Sequence, residues 1–375
     1  MRAPWIHEQW QKSGWWSILA RPLSALYGLG LHVSRHQGLQ KKQRTQKPIT
    51  PVIVVGNLYV GGTGKTPVIL RCIEALRARG WNPGLVSRGY GTKSSKTPAV
   101  GRGQLSADQF GDEPAMIAQK TDIAVAVFSD RHQAVLALQS FDPSINVILS
   151  DDGLQHWPMH RDIEILVEDN RGIGNGLLLP AGPLREPAQR REQVDAITKR
   201  ITDAKPKPTR VEQLQVFCEF RLEICTLRHL QTGEIITPDS FQAWRQSQAS
   251  LLALAGIGVP ERFFAQLRTL GLHPDRTEGL ADHADLSQTW LSEQPESTIL
   301  LTEKDAVRLG TLPWSQTHLK RVRQDESDNP DLLSTHAQLC QDARVWVAVA
   351  DTQWGDDVLF DWLDARLHDI RAQRQ

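Results

Sequence analysis

Apolar residues in this chain cluster into short, β-branched runs bounded by turn residues. "PVIVVGN" (51–57), "PGLVSRG" (83–89), "IAVAVFSD" (123–130), "NVILSDD" (146–152) and "DIEILVED" (162–169) each read as a buried strand of a parallel sheet. Between them the period changes to that of a helix. In "TPVILRCIEALRARG" (66–80), Val68, Cys72, Ala75, Leu76 and Arg79 trace one face, and Gly80 stands where a helix ends. "GDEPAMIAQKT" (111–121) puts acids in a first helical turn, and "RHQAVLALQSF" (131–141) is helical too. Strands alternating with helices predict an α/β fold with a doubly wound, mostly parallel sheet.

The pattern shifts at "DAKPKPTRVEQ" (203–213), a polar, proline-containing linker. Beyond it "VFCEFRLEI" (216–224) alternates with period two, and "GEIITP" (233–238) closes a hairpin or meander. "ASLLALAGIG", "PERFFAQLRTLG" and "STILLTEKDAV" return to strand, helix and strand. "RVWVAVAD" (344–351) is a late strand and 356–374 a last helix. The expected organisation is an N-terminal helix with a basic linker (1–40), a larger domain (41–212) and a smaller α/β domain (213–375).

Residues 15–33, "WWSILARPLSALYGLGLHV", are amphipathic at helical spacing. Trp15, Ile18, Leu19, Pro22, Leu23, Leu26 and Tyr27 form one stripe, and Ser17, Arg21, Ser24, Gly28, His32 and Arg35 the other. Trp15, Trp16 and Tyr27 suit a membrane–water boundary. A signal peptide would need a small-residue cleavage site, and none is clear. A spanning helix is possible by length, but Arg21 and Pro22 fall mid-segment. Packing on the protein's own core also fits the pattern; the interfacial reading is favoured.

Charge sharpens this. The chain has 375 residues and zero formal net charge, so no overall field points to nucleic acid. Yet residues 1–50 hold eight basic residues against Glu8 alone, a net +7, as a helix facing anionic head groups would. The four cysteines (Cys72, Cys218, Cys225, Cys340) match no zinc spacing and read as reduced, buried thiols.

The chemistry starts at "VGNLYVGGTGKTP" (55–67). Its end fits a phosphate loop, although Tyr59 stands where the first glycine of the pattern belongs. Such a loop aims successive N–H groups at phosphate oxygens, and the helix that follows adds its positive end. Gly61, Gly62, Thr63 and Gly64 form the cradle, Lys65 reaches the outer phosphates, and the Thr66 hydroxyl suits Mg²⁺. "VILSDDGLQH" ends a strand at Asp151-Asp152, an acid pair placed to hold that ion. "TEKD" (302–305) has its lysine one place late for a guanine motif, so ATP is the expected nucleotide.

A kinase also needs a carboxylate beside the acceptor hydroxyl. Asp112 and Glu113 in "GDEP", Glu186 in "GPLREP", and Asp282 with His283 in "LADHADL" are candidates, though helix-end charge or a polar loop explains each as well. Eight blocks occur in order: the glycine loop, "LVSRGYG", "GDEP", "SDDGLQH", "GNGLLLPAGPLREP", "AGIGVPERFF", "LADH" and "LLTEKDAV". Together they resemble the signature blocks of the tetraacyldisaccharide 4'-kinase family, the lipid A 4'-kinases. The resemblance runs from about residue 15 to about 310.

It implies transfer from ATP to the 4'-hydroxyl of an acylated glucosamine disaccharide 1-phosphate lipid, giving lipid IVA, at the cytoplasmic face of the bacterial inner membrane. It also implies site roles: Lys65 and Thr66 at phosphate and Mg²⁺, Asp151 and Asp152 at Mg²⁺, Arg185 and Glu186 at nucleotide and metal. Asp112 would be the base, paired with His283. The family often has a small hydroxyl residue where this chain has Tyr59. No nucleic acid and no obligate protein partner are expected. The rival reading is a membrane-associated P-loop switch or assembly ATPase.

Overall fold

Five consecutive buried residues, Val52–Gly56, form β1 at the centre of a parallel sheet. In this computed structural model, residues 4–89, 96–202, 204–212, 215–245, 250–280, 290–291, 293–308 and 344–374 are described. They divide into two compact units, Met1–Leu222 with Thr352–Gln375, and Glu223–Asp351.

The first unit opens with three helices, α1 (Pro4–Lys12), α2 (Trp15–Leu19) and α3 (Arg21–Gln43). After β1 come α4 (Lys65–Ala78), β2 (Pro83–Ser87), β3 (Ala99–Arg102), α5 (Ala107–Phe110), α6 (Asp112–Thr121), β4 (Ala124–Val127), α7 (Arg131–Phe141), β5 (Val147–Asp151), β6 (Ile163–Glu168), β7 (Ala196–Ile201), β8 (Arg210–Glu212) and β9 (Gln215–His229). The strands lie in the order β9-β7-β6-β1-β5-β2-β4-β3. All these pairings are parallel except β3 with β4.

Side chains alternate along β1. Ile53 and Val55 join a core with α4 and α6, while Val52 and Val54 join one on the opposite face with α7. Helices therefore cover both faces, as the alternation of elements predicted. Gly80, at φ +84°, ends α4 as expected, and Trp81 N–H reaches back to the Leu76 carbonyl.

The second unit takes in β9 from Glu223 onward, and there β10 (Ile235–Ile236) pairs antiparallel with Leu227 and Arg228 of that strand, the expected hairpin. Then follow α8 (Pro238–Arg245), β11 (Leu251–Ala255), α9 (Pro260–Thr269), β12 (Arg276–Gly279), β13 (Thr298–Thr302), α10 (Glu303–Arg308) and β14 (Val345–Trp354), with β12-β11-β13-β14 parallel. Asp305 of "TEKD" is fully buried. Both its carboxylate oxygens accept from the Gly256 N–H at 3.0 Å, so it clamps the end of β11. The last helix, α11 (Val358–Ala372), groups with the first unit and not with the 213–375 segment. Leu359, Phe360, Leu363 and Leu367 enter the α4 core, and the Trp81 indole donates to Asp364 at 2.7 Å.

The N-terminal helices differ most from expectation. The segment 15–33 is not one helix; it breaks at Ala20, ahead of Pro22. From its polar side Ser17 and Ser24 are buried against the protein, whereas Arg21, His32 and Arg35 are exposed. Ser24 Oγ donates to the Leu178 carbonyl and accepts from the Ala181 N–H, and Ser17 Oγ accepts from Asn175. Trp15, Ile18, Leu19, Leu23, Leu26, Leu29 and Val33 are each more than half exposed. Trp16 and Tyr27 leave this outward stripe: the Trp16 indole donates to the Pro180 carbonyl and the Tyr27 hydroxyl to the Arg185 carbonyl. No helix among the described residues is long and apolar enough to cross a membrane. Cys72 and Cys218 are buried as expected, but Cys225 is exposed, because on β9 it points away from the core its neighbour Ile224 enters, and Cys340 lies outside the described residues.

Candidate active site

Three neighbouring strands end together. Register sets Val55 of β1 beside Asp151 of β5, and Gly56 beside Leu166 of β6. The loop 57–64 therefore leaves the sheet between the ends of β5 and β6. It turns through Gly61 (φ +95°) and Gly64 (φ +101°), a region that L side chains resist. A Cβ at Gly61 or Gly62 would meet no atom within 4 Å, so the outer side of the loop is open. Inside the turn, Asn57 is buried, and its amide donates to the Tyr59 and Gly61 carbonyls at 2.7 and 2.9 Å.

Gly64 hands the chain directly to α4. No side chain caps this helix, so its first N–H groups remain available to an anion. Lys65, in the first turn, places Nζ 3.5 Å from Asp152 Oδ1. Arg185 Nη1 lies 2.9 Å from Asp152 Oδ2. Burial alone would raise the Asp152 carboxyl, but Lys65 and Arg185 outweigh it and hold the group below its usual range.

Asp151 behaves oppositely. It is buried, and burial, reinforced by the Glu113 carboxylate, pushes it up to about 7. Ser87 Oγ donates to Oδ2 at 3.4 Å, whereas Oδ1 has no hydrogen-bond partner among the described residues. The influence of Glu113 also locates the start of α6, with Asp112 as its first residue, beside the end of β5. Asp152 adopts φ +49°, uncommon for a residue with a side chain. Arg131, itself buried, steadies that turn by donating to the Asp151 and Asp152 carbonyls at 2.9 and 3.0 Å. On the same turn His156 is held down to about 4, by burial first and then by Arg131 and Arg161. It is therefore neutral at pH 7.

Lys65, Asp151, Asp152 and Arg185 thus come together, and Glu113, which follows Asp112 at the start of α6, acts on Asp151. Glu186 joins a different buried network. Its Oε1 accepts from Gln155 at 2.8 Å, its Oε2 lies 3.6 Å from Arg190 Nε, and burial raises its pKa. Gln155 also donates to the Asn57 carbonyl, so Glu186 supports the loop from behind. His283, the expected partner of Asp112, lies outside the described residues. Ser87 and Arg131 were not read as site residues. The weak signal for them was that Ser87 ends β2 and Arg131 follows β4, strands that stop level with β1, in "LVSRG" and "FSDRH".

An orphaned carboxylate oxygen, raised to about 7 beside a second acid and an uncapped helix start, suits a divalent cation bound together with a phosphate. Among the described residues, no group of three or more His, Cys, Asp and Glu side chains could hold a metal by itself. This chemistry therefore fits an ion that takes most of its ligands from a bound nucleotide and water.

The strand order, the glycine loop on β1 and the acid pair on β5 define a P-loop NTPase-like protein. Comparison with known proteins narrows this. A family model for tetraacyldisaccharide-1-P 4'-kinase matches residues 16–339. The tetraacyldisaccharide 4'-kinase of Bordetella petrii is 43% identical, over 99% of this chain and 97% of its own length. That of Bordetella parapertussis is 41% identical over 96% of both, and that of Pseudomonas paraeruginosa 42% over 77% of this chain and 83% of its own. A crystal structure of LpxK from Aquifex aeolicus in complex with ATP shares the fold, at TM-score 0.69 and 24% identity, covering 94% of this chain and 99% of that one. The chain belongs to the tetraacyldisaccharide-1-P 4'-kinase family.

Proposed function

We propose that this protein is an ATP-dependent kinase that phosphorylates the 4'-hydroxyl of a tetraacyldisaccharide 1-phosphate, forming lipid IVA. The observation that carries the reading is the convergence of Lys65, Asp152 and Arg185 with the buried Asp151 at the uncapped start of α4. Family membership and the names of the relatives above supply the acceptor.

In this reading the loop 61–64 and the α4 N–H groups hold the β- and γ-phosphates of ATP. Lys65 and Arg185 neutralise charge on the transferring group and are kept in place by Asp152. Mg²⁺ would be held by Asp151 and the Thr66 hydroxyl, with Asp152 adjacent, and would supply further neutralisation of the phosphates. Asp112 accepts the proton of the attacking hydroxyl, with His283 as its partner. Glu186 braces the loop through Gln155 and Asn57.

The test is direct. Purified protein is incubated with γ-labelled ATP, Mg²⁺ and the acylated disaccharide 1-phosphate in detergent. Label should appear on the lipid. Label found only as free phosphate would favour the assembly ATPase.

The acceptor's acyl chains call for a membrane surface, and the outward apolar stripe of α2 and α3 provides a face for it. It supports a peripheral protein on the cytoplasmic face of the inner membrane, the apolar side chains lying among acyl chains and the basic residues near head groups. Part of the basic charge is matched internally, Lys41 by Asp130 at 2.8 Å and Lys47 by Asp162 at 3.0 Å. The apolar stripe therefore carries most of the affinity. Leu19, Leu23 and Leu26 point to solvent, so replacing all three with Glu should leave the fold intact. At about 1 kcal/mol for each half-inserted leucine, binding to anionic vesicles should fall on the order of 100-fold. Unchanged co-sedimentation would remove this face from the membrane contact.

A further inference from the structure

Tyr59 stands where the phosphate-loop pattern has a glycine, and its surroundings hold a device the pattern does not predict. β6 ends beside the loop, and Asp169, just past that end, is almost fully buried. Asp169 holds Arg171 in a tight turn. Arg171 N–H and Nε donate to Oδ1 at 2.9 and 3.0 Å, and Nη2 lies 2.9 Å from Oδ2. Arg171 Nη2 then donates to the Gly62 carbonyl at 2.7 Å. The guanidinium lies 4.3 Å from the ring centroid of Tyr59, which is itself buried. A backbone bridge from Tyr59 to Leu184 and a bond from Val60 N–H to the Pro183 carbonyl at 2.9 Å pin the loop on its other side.

We infer that Arg171, held by Asp169 and stacked on Tyr59, is a positioning residue that sets the phosphate loop for nucleotide. The inference rests on the kinase reading above and adds a residue to it. The Gly62 carbonyl and the Thr63 N–H belong to one planar trans peptide and point in opposite directions. Anchoring the carbonyl on Arg171 turns the Thr63 N–H the other way. It also stops the peptide from flipping and presenting an oxygen to a phosphate. Gly61 and Gly62 have no side chain and nothing near a would-be Cβ, so packing on the glycine side does not steady that peptide. Asp169 balances the charge of Arg171, so the guanidinium acts by geometry and not by attracting phosphate at long range. Tyr59 supplies the flat apolar surface on which the fork lies. The large side chain at position 59 is thus part of the anchor.

The experiment uses the full-length protein and three variants: Arg171→Ala, Arg171→Lys and Tyr59→Phe. Affinity for a non-hydrolysable ATP analogue with Mg²⁺ is measured by calorimetry, and KM for ATP and for the acylated disaccharide separately in the transfer assay. Arg171→Ala should weaken the analogue and raise the ATP KM by about tenfold, leaving the lipid KM within twofold. Arg171→Lys, which keeps one donor but not the fork, should recover part of that loss. Tyr59→Phe, which keeps the stacking face, should lose less affinity than Arg171→Ala. Unchanged analogue affinity in Arg171→Ala would overturn the inference. So would equal losses for ATP and lipid together with a lowered Tm. If Arg171→Ala does not fold, Arg171→Lys carries the same comparison, and wild-type affinity in it overturns the inference. Failure of the wild-type protein to label lipid would instead sink the kinase reading, since analogue binding is measured without the acceptor.

Discussion

Replacing Lys65 with Ala is expected to lower kcat/KM for ATP by about 10³-fold, within the range found when one preorganised electrostatic group is removed from a reaction centre. Two losses combine. Lys65 no longer neutralises the transferring phosphate, and its contact with Asp152 at 3.5 Å disappears. Lys65 also holds Asp151 down. Without it the Asp151 carboxyl moves further above about 7, and a larger share is neutral at pH 7, when an ionised oxygen is needed for the cation. The side chain is mostly buried but lies at a helix start facing an open loop, so the fold should survive. The check is γ-phosphate transfer with saturating lipid; a loss below tenfold would take Lys65 out of the chemistry.

Asp112→Asn is expected to act on the other half of the reaction. Turnover should fall between about 10² and 10⁴-fold, the range for losing a general base. Affinity for the ATP analogue should stay near wild type. Asn has nearly the same shape and is well tolerated at the start of a helix, so α6 should form as before from the Gly111 turn at φ +85°. Equilibrium binding of the analogue and single-turnover transfer separate the two effects. Lost nucleotide affinity with intact single-turnover transfer would make Asp112 a structural residue.

The elements of the phosphate site were legible in the sequence because they are local. Gly61 to Thr66 are consecutive, and Asp151-Asp152 end an apolar run whose pairing beside β1 follows from the parallel order. The Arg171 anchor was not legible. It joins residues 109 positions apart through a backbone carbonyl, and no spacing rule marks a carbonyl. The buried partners of Glu186 were not legible for a related reason: nothing local shows to which side of the chain it turns, and Gln155 and Arg190 decide that. The N-terminal helices show the limit of periodicity. The stripe was correct in outline, but a stripe does not say which side faces the protein. Ser17 and Ser24, small enough to approach the 174–182 backbone and able to bond with it, set the orientation. Trp16 and Tyr27 found carbonyl partners and turned inward with them.

That inside-out arrangement of α2 and α3 changes what concentration means for the proposed enzyme. A protein that rests on lipid by its apolar stripe meets its acceptor within a film two molecules thick. The quantity that fills its acceptor site is then the mole fraction of disaccharide among its neighbours in the film. Molarity in the surrounding water does not enter. Adding inert detergent at constant acceptor dilutes the surface and slows the reaction, although nothing in the bulk has changed. Apparent acceptor constants therefore compare between preparations only when the ratio of acceptor to detergent is the same in each.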